Sequence, residues 1–233
     1  AHTAAVLAPR AARIGALHAE LKARLKDDDA SVPVVDGAFE YHWAFAPGAQ
    51  YRTWLRRHRD AVSPETILDE NALALGRPYF NLRTLAPSRD GRLLAYTIDT
   101  DGSERFELVV RSLETGVDLA VADTSGSVVW AEDGRTLLYV ELNAQLRPWR
   151  VRAHTLGAAQ PDDPIVYVEE DPAFFVSIGK TRDRRFLVIS TGTHVTREVR
   201  IVPAERPWLT PAVVAARREG HRYALDHAHG RFW

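Results

Sequence analysis

The sequence predicts an all-β chain: part of a β-propeller, about four blades, preceded by an N-terminal α-helix. Three observations predict it. An Asp-led turn followed by a short apolar run recurs at Asp36-Gly37, Asp90-Gly91-Arg92, Asp133-Gly134-Arg135 and Asp183-Arg184-Arg185. The recurrence has a period of about 40–50 residues, the range in which propeller blades repeat. Each unit also breaks into several short strands separated by turn residues, and a sheet that thin must stack on its neighbours to bury its faces. Evenly spaced hairpins would also suit a β-sandwich. The fourfold recurrence of one following pattern favours the propeller.

Taken in order, Pro9 to about Lys26 predicts a helix. Ile14, Leu17, Leu21 and Leu25 fall at intervals of three and four and form one stripe, which is expected to pack on its own domain. Pro9 suits a first helical turn. Asp27-Asp28-Asp29 are expected to end the helix, and Ser31-Val32-Pro33 to run extended. The runs after the four turns are Ala38–Tyr41, Leu93–Tyr96, Thr136–Tyr139 and Phe186–Ile189, and His229-Gly230-Arg231-Phe232-Trp233 reads as a fifth copy just begun. In the second copy, strands are expected over Leu93–Ile98, Phe106–Ser112 and Val117–Val121, and Ser127–Trp130 opens the next unit. The expected bounds are 1–33 for helix and linker and 34–233 for an incomplete propeller. Blades fall near 36–70, 80–121, 125–168 and 174–216, with a fifth begun at 221–233.

Composition removes several functions. The 233 residues are 45% hydrophobic, and 30 Lys+Arg balance 31 Asp+Glu to a net charge of -1. That balance lacks the long-range field of a polyanion-binding domain. No apolar run reaches the roughly 18–20 residues of a membrane-spanning helix, and the alanine-rich opening does not read as a secretory leader. With no Cys, these residues hold no disulfide, thiolate metal site or Cys nucleophile. The cytoplasm is the expected compartment. The absence of Met and the ending on Arg231-Phe232-Trp233 read as an excerpt of a longer chain.

Candidate sites were tested against the chemistry they require. No two glycines lie four apart, so the Gly-x-Ser-x-Gly nucleophile elbow is missing. His227 and His229, with His221 nearby, offer imidazoles but no evident completing ligand, so no metal is expected. Asp99-x-Asp101-Gly102 resembles a calcium loop, yet Thr97 and Leu108 stand where that loop needs carboxylates, so it reads as a turn. Arg52, Arg56, Arg57, His58 and Arg59, interleaved with Tyr51 and Trp54, invite a nucleic-acid reading that the balanced charge opposes. Asp162-Asp163 and Glu169-Glu170-Asp171 read as solvated loops. No catalytic, cofactor-binding or metal-binding residue is assigned.

The wording of the repeats carries more than their period. Leu25–Pro33 followed by Asp36–Tyr41, and Tyr96–Glu104 continuing to Leu113-Glu114-Thr115-Gly116, resemble the propeller of the prolyl oligopeptidase family. Arg147-Pro148-Trp149, His154-Thr155-Leu156-Gly157, Tyr167–Ser177, Lys180-Thr181, Val188–Ser190 and Glu198–Arg200 are similar to its oligopeptidase B (protease II) branch. Arg89, where the family tends to have Pro, and Arg184, where the turn glycine is missing, depart from the pattern.

The resemblance implies a cytosolic serine peptidase in two parts. A seven-bladed propeller covers a C-terminal α/β-hydrolase domain of the same chain, admitting short peptides and excluding folded proteins. The branch cleaves after Arg or Lys. No catalytic residue of the family maps onto residues 1–233. The expected partners are therefore short basic peptides and the hydrolase domain, with no nucleic acid, membrane or cofactor. The rival reading is a non-catalytic propeller binding module or a family member that has lost its triad.

Overall fold

The computed structural model describes residues 2–26 and 28–233, in two units, residues 1–72 and 73–233. In the first unit the helix begins before Pro9. α1 spans His2–Leu7, a 3-10 turn covers Ala8–Arg10, and α2 spans Ala11–Lys22. Alanines on both sides of Pro9 favour helix. Pro9 has no N–H for the α-ladder, and the chain tightens there instead of starting there. The stripe does not pack on a core, contrary to expectation: Ile14, Leu17, Leu21 and Leu25 are 47% to 71% exposed. Periodicity specifies a face but not what covers it. Asp27, one of the residues expected to end the helix, lies outside the described residues.

Four antiparallel strands follow in sequential order: β1 Val34–Asp36, β2 Phe39–Ala44, β3 Thr53–His58 and β4 Glu65–Asp69. The Ser31 N–H donates to the Trp43 carbonyl, so the extended segment before β1 is tied to β2. A short helix, α3 (Glu70–Ala74), ends this region.

The second unit holds three four-stranded antiparallel sheets, each in sequential order. They are β5 Asn81–Pro87, β6 Leu93–Asp99, β7 Phe106–Ser112 and β8 Asp118–Thr124; β9 Val128–Trp130, β10 Thr136–Leu142, β11 Pro148–Thr155 and β12 Ile165–Val168; and β13 Phe175–Lys180, β14 Phe186–Gly192, β15 Arg197–Pro203 and β16 Ala212–Ala215. A hairpin of β17 (His227–Ala228) and β18 (Arg231–Phe232) closes the chain. In the second repeat the last strand runs Asp118–Thr124 rather than Val117–Val121. Each sheet also has a strand ahead of its Asp-led turn.

Those turns share one geometry. Gly91 and Gly134 take φ of 70° and 71°, and Arg184 takes 64° in the corresponding slot. The aspartate makes the turn: Asp90 Oδ1 accepts from the Arg92 N–H, Asp133 Oδ1 from Arg135 and Thr136, and Asp183 Oδ1 from Arg185. At the hairpin tip, His229 and Gly230 both have positive φ, 52° and 75°, as a two-residue I′ turn requires.

The sheets are joined by alternation. Along β10, Leu137 and Tyr139 pack toward β6 and β7, against Ala95, Leu108 and Val110. Leu138 and Val140 point the opposite way and pack against Val176, Leu187, Ile189 and Val202 of the third sheet. A period of two therefore buries both faces of the middle sheet between its neighbours. The first strands adjoin as well, with β9 beside β5 on one side and β13 on the other. Stacking of this kind, first strand to first strand, is that of propeller blades.

Polar ties reinforce the stack. Trp130 Nε1 donates to the Ala86 carbonyl at 2.8 Å. Glu132, whose side chain is 3% exposed, accepts from Arg89 of the preceding sheet and Lys180 of the following one, each at 2.5 Å. Burial alone pushes its carboxyl up. The hydrogen bonds from Lys180 and Arg89 outweigh that and hold it below the usual carboxylate range.

Candidate functional site

Antiparallel topology decides which loops share an end. The β10–β11 hairpin, the β12–β13 crossover and the β14–β15 hairpin all fall at the end away from the Asp-led turns. There a cleft of ≈ 350 Å³ opens between the hairpin residues Asn143, Arg147 and Trp149 and the crossover segment from Val168 to Phe174. A second cleft of ≈ 290 Å³ lies beside it, lined by Phe174, Val195, Arg217 and Glu219 among others. Phe174 belongs to both and separates them.

The crossover is held by a charged network absent from the sequence reading. Arg217 donates through Nη2 to Glu169 Oε2 at 2.5 Å and to Thr191 Oγ1 at 3.1 Å, and its guanidinium lies 3.6 Å from the centre of the Phe174 ring. Glu169 also accepts from the Tyr167 hydroxyl at 2.8 Å and the Asp171 N–H at 3.1 Å. Burial raises the Glu169 carboxyl, but the hydrogen bonds from Arg217 and Tyr167 prevail and keep it below the usual range. Glu169 is thus buried and spent on structure, a correction to its reading as solvated loop. Glu170 and Asp171 are exposed, as expected.

Across the cleft, the Arg147 guanidinium sits 4.0 Å from the centre of the Phe175 ring. Its Nε is buried and has no hydrogen-bond partner among the described residues. The Arg150 guanidinium, paired with Glu141, stacks 4.7 Å from the Trp149 ring centre. Cation–aromatic stacking of this kind stiffens both walls.

The other candidates resolve into structure. Asp163 is buried rather than solvated: its carboxylate meets His154 Nδ1 at 2.9 Å and accepts from the Tyr139 hydroxyl at 3.0 Å. Burial pushes the Tyr139 phenol up. His227 Nδ1 meets Asp183 Oδ2 at 2.5 Å and its ring packs against Phe186, while His229 occupies the hairpin turn. Among the described residues no group of three or more His, Asp or Glu is placed to hold a metal. Asp99 is a turn-maker, accepting from the N–H groups of Asp101, Gly102 and Glu104.

The basic stretch is matched by carboxylates: Arg52 with Glu70 at 3.1 Å, Arg56 with Glu65 at 2.6 Å and Arg57 with Glu40 at 2.6 Å. That pairing offsets three of the four arginine charges in the stretch. The signal missed in the sequence was Arg217, separated by 48 residues from the carboxylate it holds.

This constellation of stacked antiparallel sheets with loops gathered at one end has known relatives. Residues 1–233 match the family described as prolyl oligopeptidase, N-terminal beta-propeller domain, and the chain belongs to that family. It is 37% identical to a dipeptidyl aminopeptidase BI from Pseudoxanthomonas mexicana, over all of this chain and 35% of that protein. It is 26% identical to a protease 2 from Moraxella lacunata, over 88% of this chain and 31% of that one. Among solved structures, oligopeptidase B from Leishmania major superposes with a TM-score of 0.88 at 25% identity, covering 96% of this chain and 33% of that one. The chain spans about a third of the length of these relatives. Among the described residues no helix is long and apolar enough to cross a membrane.

Proposed function

We propose that this chain is the substrate-gating propeller portion of a serine oligopeptidase that hydrolyses short peptides after Arg or Lys. The observation that carries the reading is the family match over the whole chain, joined to sheets that bury each other's faces. Such a stack makes a rigid cover, and a cover over an active site excludes water and large substrates while its opening gates turnover. The partners proposed are a C-terminal α/β-hydrolase domain of the same chain and short basic peptides. The nucleophile, acid and base lie in that domain, and no residue of 1–233 is given a catalytic role. A cysteine-free chain needs no oxidising compartment, and the cytoplasm is the proposed location.

The 37% identical relative supports a second reading. The full-length protein would then release dipeptides from a free amino terminus rather than cut internally. Incubating the full-length protein with an arginine-containing peptide, free or acetylated at its amino terminus, separates the two. Internal cleavage after Arg in both forms supports the oligopeptidase. Dipeptide release from the free form alone supports the second reading. No cleavage of either supports a binding module or a member without its triad.

A further inference from the structure

We propose that a cleft among the Asp-led turns, at the end of the sheets away from the Glu169 network, binds a phosphate group. The cleft, of ≈ 270 Å³, is lined by Arg89, Glu132, Arg184, Arg185 and Phe186 among others. The proposal does not depend on the peptidase reading.

Three guanidiniums converge there, and their charge balance differs from that of the arginines in the first unit. Arg52, Arg56 and Arg57 each meet a carboxylate of their own. In the cleft one carboxylate serves several cations. Glu132, 3% exposed at its side chain, accepts from both Arg89 and Lys180, and Arg184 is near enough for its charge to help hold the Glu132 carboxyl down. Asp183 on the wall is engaged already: Oδ2 meets His227 Nδ1, and Oδ1 accepts from the Thr181 hydroxyl and the Arg185 N–H. The remaining lining acid, Glu205, is exposed. Arg89, Lys180, Arg184 and Arg185 therefore outnumber the carboxylates left to balance them.

The same groups are shaped for an oxyanion. Arg89 bonds Glu132 through Nη1, and a guanidinium carries five N–H donors in a fixed fork, so that bond does not exhaust it. Such forks match phosphate oxygens two at a time. Arg184 holds a φ of 64° in the slot that Gly91 and Gly134 fill at 70° and 71°, a conformation that side chains rarely adopt. Arg89 and Arg184 are also the two departures from the family's turn pattern, and both place a guanidinium on this one cleft. The half-buried Phe186 and the adjoining Pro203 add an apolar shoulder for the organic part of a phosphate ester.

Isothermal titration of the full-length protein with inorganic phosphate, at an ionic strength held constant with sodium chloride, tests this. One saturable site per chain is expected. Arg89→Gln and Arg184→Gly are each expected to weaken it about tenfold, the loss of one charge-assisted contact. Arg184→Gly puts glycine where the backbone already has positive φ, so lost binding in that variant is not lost folding. Arg92→Gln removes an exposed guanidinium of the same turns, one paired with Glu114, and is expected to leave binding unchanged. Phenyl phosphate names the source: tighter binding than inorganic phosphate assigns the site to an ester resting on Phe186, weaker binding to the free ion. No saturable binding, binding that survives the Arg89→Gln/Arg184→Gly double variant, or equal weakening by Arg92→Gln would overturn the proposal.

Discussion

Glu132 shows how much one side chain carries. It is buried, and Arg89 and Lys180 reach it from the sheets on either side. Glu132→Ala removes the carboxylate that both cations share and is expected to cost about 1–3 kcal/mol. By contrast, Glu114→Ala, which breaks the exposed Arg92–Glu114 pair, is expected to leave stability nearly unchanged. Chemical denaturation distinguishes the two. The pH dependence has a definite sign: the folded-state pKa of Glu132 lies below its unfolded value, so its contribution is complete above the ordinary Glu range and is lost as pH falls through the folded value. Melting temperature is expected to drop on acidification below about pH 4.3, and Glu132→Gln to flatten part of that slope. At this scale the sequence was least legible. Asp163 and Glu169 look like solvated acids because their partners, His154 and Arg217, are brought to them only by the fold.

The strands and turns were legible because their signals are local. Asp followed by Gly specifies a turn by its own hydrogen bond and its own positive φ, and the alternating run after it specifies a strand with two faces. Gly134 has open space around it, so Gly134→Ala tests the backbone term alone and is expected to cost about 1–2 kcal/mol for its φ of 71°. Arg184 bears a similar φ without being glycine, which the turn pattern tolerated and the sequence flagged only as a missing glycine. Leu138 is fully buried where the second and third sheets of the second unit meet. Leu138→Ala is expected to cost about 2–5 kcal/mol, measured by urea denaturation. The helix was half legible: its existence follows from the three-and-four spacing of its apolar residues, but its start was misplaced at Pro9, and the burial of its stripe depends on tertiary surroundings that local sequence does not encode.

For the whole molecule, blades that stack face to face leave surface wherever the stack stops. Val213 and Val214 on β16 are 43% and 40% exposed, and an outer strand of that kind invites pairing. Residues 1–233 expressed alone are expected to self-associate on size exclusion and to leave arginyl chromogenic amides uncut. A clean monomer with one cooperative melt would contradict the open-stack account. The central claim, a propeller that gates a peptidase by size, is tested most directly by one comparison on the full-length protein. The same arginine-containing sequence is offered as a free short peptide and as a surface loop of a stably folded domain, and cleavage of each is followed by mass spectrometry. The account predicts rapid cleavage of the free peptide and none of the folded form. Equal cleavage of both would contradict it.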